Sequence, residues 1–276
     1  MQAAIMAWRS RRWRFTIKPI IAEWTLPKGG ALLKRIERMI QPALLGGVFT
    51  QSPTAIIGGL QYHLGGEQDT RELADLAAIT SDDRVLDVCC YLGGPAIQLA
   101  SEYGCHVTGI DIDATVIAAA TRIADLARLS HLLDFQVTDA RQLPFPDEHF
   151  SVVWSQCSIP HDDAWLKELD RVLQPGARLA MTIDTQPPPD SWSLPAIAKR
   201  VAARRYALLS VDDLTARDIV IGWRALDAKL RANESLYTKA LGKAWVANAH
   251  QQFADEIAHM QAGEWGNGRI VARKDG

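Results

Sequence analysis

The run Val85-Leu86-Asp87-Val88-Cys89-Cys90-Tyr91-Leu92-Gly93-Gly94-Pro95-Ala96 decides how this chain is read. Apolar and β-branched positions surround Asp87, a glycine pair and a proline follow, and the spacing of Ile97, Leu99 and Ala100 then turns helical. That is a strand, a tight turn and a helix start. In an open parallel sheet, ligands sit beyond the carboxyl ends of the strands, and the first strand-to-helix turn must admit them close to the backbone. Gly93 and Gly94 suit such a turn, because a residue without Cβ takes positive φ readily and leaves room beside it.

Outward from that turn, Val107-Thr108-Gly109-Ile110-Asp111 is a second short strand ending in a carboxylate. It falls about twenty residues further on, where an acid that accepts two ribose hydroxyls is expected. A third unit, Asp134 to Ala140, carries Asp139 near its end, placed to bind an adenine amino group. The run from Leu143 to Ser155 reads as a loop and a fourth strand, and Leu166 to Asp184, with Pro175-Gly176 inside it, as a helix, a turn and a fifth strand. Strands and helices thus alternate from Ser81 to Asp184, as a doubly wound sheet requires.

These motifs, in this order, resemble those of the class I S-adenosylmethionine-dependent methyltransferases, in the branch that acts on small molecules; the likeness covers residues 60 to 215. The resemblance implies an α/β fold with a doubly wound, seven-stranded, mostly parallel sheet, an N-terminal helical arm and a helical cap. It implies S-adenosylmethionine as methyl donor. Asp87, Cys89, Tyr91 and Gly93 would form the donor turn, Asp111 would hold the ribose and Asp139 the adenine, with Ile112, Ala140 and Gln156 also bordering the cofactor. The family's first motif places glycines at alternate positions after the acid, which here are Cys89, Tyr91 and Gly93, and only the last is glycine. Tyr91 stands where the donor's amino-acid tail and ribose would lie against bare backbone. Either the turn bends and Tyr91 points into the neighbouring helix or the substrate space, or the pocket holds another one-carbon carrier, such as a stacked tetrahydrofolate. A third reading is a catalytically silent member of the fold that serves as a binding partner.

With 276 residues, 48% hydrophobic content and a formal net charge of −2, the chain suits one large domain with a cap or arm. That balance offers no electrostatic case for binding nucleic acid. Cys89, Cys90, Cys105 and Cys157 lack the spacings of a zinc site or a disulfide framework, which fits a reduced, cytoplasmic setting. No run approaches the ~20 apolar residues needed to span a bilayer. A small-molecule substrate is the expected partner, and a homodimer is compatible with the sequence.

The first twenty-two residues are basic, with Trp8, Trp13 and Phe15 between arginines. They read as a membrane-surface or targeting segment, or as an arm that packs its tryptophans on the body or on another subunit. Residues 1–80 are taken as this arm and an active-site cover, 81–217 as the core, 218–262 as a helical cap and 263–276 as a final strand. Ala31 to Ile40 and Thr70 to Ile79 are predicted helices, and residues 41–66 are predicted loops with short helices. In the cover, Tyr62 and His63 beside Gly65-Gly66 are candidate active-site residues; alternatively, Tyr62 packs and His63 caps a turn. After the fourth strand, His161 is a candidate proton acceptor, with Asp162 or Asp163 to orient it or to cap the next helix. Cys157 is better read as a buried small hydrophobe than as a nucleophile. Trp223, Tyr237 and Trp245 either line an acceptor pocket or form the cap's own core.

Overall fold

In a computed structural model of the protein, residues 30–47, 52–157 and 163–276 are described. The basic N-terminal stretch and His161 lie outside them. Seven strands form one sheet: β1 (Arg84–Val88), β2 (His106–Asp111), β3 (Leu133–Val137), β4 (Phe150–Gln156), β5 (Leu173–Thr185), β6 (Tyr206–Asp213) and β7 (Gly266–Lys274). Their order is β3-β2-β1-β4-β5-β7-β6. β1 to β5 are mutually parallel, and β7 runs antiparallel between β5 and β6.

The alternation visible in β1 sorts side chains to two faces. Val85, Val107, Phe135 and Trp154 point into one core, covered by helices Gly30–Leu45, Gly94–Tyr103 and Ala114–Ala127. Leu86, Val88, Ile110 and Val153 point into the other, covered by Asp163–Val172 and Leu194–Ala203. Burial on both faces is why these strands read as near-continuous apolar runs.

Several elements differ from expectation. The first described helix does not stop at Ile40; it continues through Pro42 to Leu45, and the buried Leu44 anchors the extra turn. The predicted helix from Thr70 begins earlier, at Gly66, because Gly65 adopts a left-handed conformation at its N-terminus. β5 absorbs the Pro175-Gly176 turn as a register shift opposite β4. The final strand starts at Gly266, inside the predicted turn, and pairs with β5 over eight positions from Arg178 to Thr185.

Residues 215–261 form the helices Thr215–Asp218, Ala225–Ala232, Glu234–Leu241 and Lys243–Gln261, with a π-helical turn at Ile219–Arg224. Their core of Trp223, Leu230, Tyr237, Val246 and Phe253 also takes in Ile56, Ile57 and Leu64 from the cover. Cap and cover therefore share a third core, distinct from the two beside the sheet. No helix among the described residues is long and apolar enough to cross a membrane.

Candidate active site

The turn after β1 does not bend away from the glycine pattern. Cys89, Tyr91 and Gly93 have φ of 58°, 49° and 74°, so all three alternate positions are left-handed. That conformation costs roughly 1–2 kcal/mol for a residue carrying a Cβ. The strain is held by one turn bond, from Gly93 N–H to Cys90 O at 2.8 Å, and two tertiary bonds, from Cys90 N–H to Ile110 O at 2.9 Å and from Tyr91 N–H to Asp111 Oδ2 at 3.2 Å. The expected bend is thus replaced by a sharper fact: a tyrosine occupies a glycine's backbone geometry. Its ring lies 5.1 Å from that of Tyr62, tilted by 47°, and rests on the first core.

The turn opens onto a cavity of about 600 Å³ at the carboxyl ends of β1, β4 and β5, roofed by the cover and the cap. Asp87 lines it, is only 3% exposed, and has one oxygen, Oδ2, without a hydrogen-bond partner. Burial, reinforced by the nearby charge of Asp111, pushes its carboxyl up to about 8. Asp111 accepts the Asp113 N–H at 3.0 Å as well as that of Tyr91, so its carboxylate ties the first turn to the end of β2. Next to it, Ile112 is 75% exposed, and Val137 at the end of β3 is 54% exposed, an apolar strip where a flat heterocycle would find cover. Asp139 accepts the Arg141 N–H at 2.9 Å and faces solvent. Ala140 does not share that surface; its side chain is buried in the second core.

The cover segment is pinned on the helix that follows the turn. A Cβ at Gly94 would stand 2.1 Å from Leu60 O, so only glycine permits this approach. Buried Gln98 accepts from Gln61 Nε2 at 2.8 Å and donates to Glu67 O at 3.0 Å. Tyr62 projects into the cavity and is 45% exposed, whereas His63 is buried at 8%. The His63 ring has Gln61 Oε1 at 2.8 Å and Thr70 Oγ1 at 3.2 Å from Nε2, and Leu64 O at 3.2 Å from Nδ1. Gln156 donates to Asp69 Oδ2 at 2.7 Å and accepts from Trp154 Nε1 at 3.0 Å and Thr70 Oγ1 at 3.1 Å.

Behind this network lies Arg217, bound to Asp69 at 2.5 Å, Glu72 at 2.6 Å and Asp218 at 2.7 Å. Burial works to raise the Asp69 pKa, but the hydrogen bond and charge of His63, joined by Arg217, hold it below the usual range. His63 and Gln156 thus reach the cavity wall from a buried polar lattice that positions the cover.

Sequence reasoning missed the far wall. Asp184 and Gln186 after β5, Gln252 and Glu256 one turn apart on the last cap helix, and Trp265 all line the cavity. The i, i+4 spacing of Gln252 and Glu256 was the one available signal. Trp223 lines it too, brought in by the π-helical turn, with Nε1 3.2 Å from Met260 Sδ; Tyr237 belongs to the cap core and stacks on Trp245. Cys157 is on the wall, 3.7 Å from Thr182 Oγ1, and burial raises its thiol far above the normal range, so it stays protonated. Among the described residues lining the cavity, Asp87, Asp111, Asp184 and Glu256 are acidic and none is Lys or Arg.

A family model described as a methyltransferase domain matches residues 85–176. The 27-O-demethylrifamycin SV methyltransferase of Amycolatopsis mediterranei is 33% identical over 173 residues, covering 62% of this chain and 63% of the relative. The chain thus spans less than two thirds of the length of the curated relatives it matches first. Among solved structures, phosphoethanolamine N-methyltransferase 2 of Haemonchus contortus, in complex with S-adenosylmethionine, superposes with a TM-score of 0.73 at 17% identity, over 87% of this chain and 60% of that one. The cyclase SpnF superposes with a TM-score of 0.64 at 23% identity, over 92% and 99%. At these identities the structural likeness is one of fold.

Proposed function

Because the chain belongs to the class I S-adenosylmethionine-dependent methyltransferase family, we propose that it transfers a methyl group from S-adenosylmethionine to a small-molecule acceptor. The observation that carries this reading is the charge of the cavity. Four acidic side chains and no Lys or Arg line it among the described residues, and one of the four, Asp87, is kept protonated near neutral pH by burial and has an unpartnered oxygen. A cationic ligand completes such a site. The residues present fit this donor. Asp111 stands at the end of β2 for the ribose, Ile112 and Val137 offer an apolar strip for the base, and the orphaned Asp87 oxygen awaits a positive group.

When bound, S-adenosylmethionine supplies an already activated methyl group, so the protein's work is alignment and exclusion of water. Tyr62, Trp223 of the cap and Trp265, just before β7, line the cavity. Glu256 and Asp184 face it as carboxylates able to take a proton from an acceptor hydroxyl or amine. His63, with both ring nitrogens engaged by protein groups, positions the cover. His161 stays a candidate base from sequence alone. The cavity keeps its volume despite Tyr91, which speaks against a plugged, silent fold, and no feature of it favours a folate.

Calorimetric titration of the purified protein with S-adenosylmethionine and S-adenosylhomocysteine tests the reading. Micromolar binding of both is expected; no heat and no thermal shift with either would sink it.

A further inference from the structure

Tyr91 combines features that its packing does not repay. It holds a left-handed φ of 49°, and its hydroxyl is buried without a hydrogen-bond partner. Strained backbone and an orphaned polar group in one residue are costly, and such costs collect where a ligand recovers them. The residue lines the cavity, its main-chain N–H is fixed by Asp111, and its ring is turned toward Tyr62 of the cover. The phenol thus stands beside Tyr62, with the Asp113 carboxylate near enough for its charge to act on it. The amino-acid tail of S-adenosylmethionine carries both an ammonium and a carboxylate. Acids are present for the ammonium, but no Lys or Arg among the described lining residues meets the carboxylate. A neutral hydrogen-bond donor has to do so.

Resting on the proposed use of S-adenosylmethionine, we propose that the Tyr91 hydroxyl donates a hydrogen bond to the carboxylate of the donor's amino-acid tail, a task the family's glycine at this position cannot perform. Burial, more than the neighbouring Tyr62 and Asp113, keeps this phenol protonated well above neutral pH, as a donor must be. The hydroxyl would then lose its orphan status on binding, and the strain in the turn would serve to aim it.

The test compares two probes on the whole protein by calorimetry: S-adenosylhomocysteine, and 5′-methylthioadenosine, which has the nucleoside and thioether but no amino-acid tail. Tyr91→Phe should weaken S-adenosylhomocysteine by about tenfold or more, the worth of one hydrogen bond to a charged group, and leave 5′-methylthioadenosine within about twofold. The thermal midpoint of the unliganded variant should equal or exceed that of the parent, because a buried unpartnered hydroxyl has gone. Tyr91→Asn, a side chain that tolerates the left-handed region, gives the same comparison should the phenylalanine variant not fold. Unchanged S-adenosylhomocysteine binding in the variant, or an equal loss for both probes, overturns the assignment while leaving the methyl-transfer reading intact. Failure of the parent protein to bind S-adenosylhomocysteine at all overturns that reading, and this assignment with it.

Discussion

Asp87 carries the largest electrostatic liability in the site. Its carboxyl titrates near 8 in the folded chain but near the ordinary 3.8 when unfolded, so the folded state holds an extra proton between those values. Stability must then fall as pH rises from about 4 to about 8, each displaced unit being worth ~1.4 kcal/mol. Asp87→Asn removes that slope. The unliganded variant should match the parent near pH 4 and exceed it by about 2 kcal/mol or more at pH 8 in urea unfolding; parallel pH profiles would contradict the assignment. A cation seated beside Asp87 favours its ionised form. Binding of S-adenosylmethionine at pH 7 should therefore release protons, seen as different heats in phosphate and Tris buffers, and Asp87→Asn should abolish the difference. Asp87 and Asp111 were legible in the sequence because each stands at or next to the end of a short apolar strand. The left-handed tyrosine was legible only as an anomaly, since a glycine pattern does not say whether a foreign side chain will bend the turn or accept its geometry. Ala140 illustrates the opposite limit: a residue carried over from a motif falls in the core, and motif position does not report burial.

At the level of elements, Arg217 fastens the cover helix, through Asp69 and Glu72, to the start of the cap, through Asp218. Asp69 and Asp218 are almost wholly buried, so removing the guanidinium strands two carboxylates. Arg217→Met should cost about 3–5 kcal/mol at pH 7 by denaturant titration, with Arg217→Lys recovering part of it. The deficit should shrink as pH falls through the folded pKa of Asp69, which lies below its unfolded value, because the parent loses that stabilisation there. A loss under 1 kcal/mol would mean that water replaces the arginine. The strands of the sheet could be read one by one from apolar runs closed by acids. The lattice around Arg217 could not, since Asp69, Gln156 and Arg217 are distant in sequence and meet only when the sheet order is known. The same holds for Asp184, Gln252 and Glu256: periodicity places them on an element, while tertiary packing decides that the element faces a cavity.

Across the whole molecule, the shared core of cap and cover is separate from the two cores of the sheet. Residues 53–64 and 219–260 should consequently open as one unit. Hydrogen–deuterium exchange should show both stretches exchanging with similar kinetics, faster than β1, β4 and β5, and S-adenosylhomocysteine should slow the two together. Protection of one without the other would divide the unit. The anionic lining has a last consequence, for turnover. Under the proposed reaction the cofactor enters as a sulfonium and departs as a neutral thioether. A chamber of four acidic side chains, with no lysine or arginine among its described walls, holds the charged form more tightly than the spent one. The chemical step itself thereby loosens the product, and the enzyme should resist inhibition by the cofactor it has just consumed.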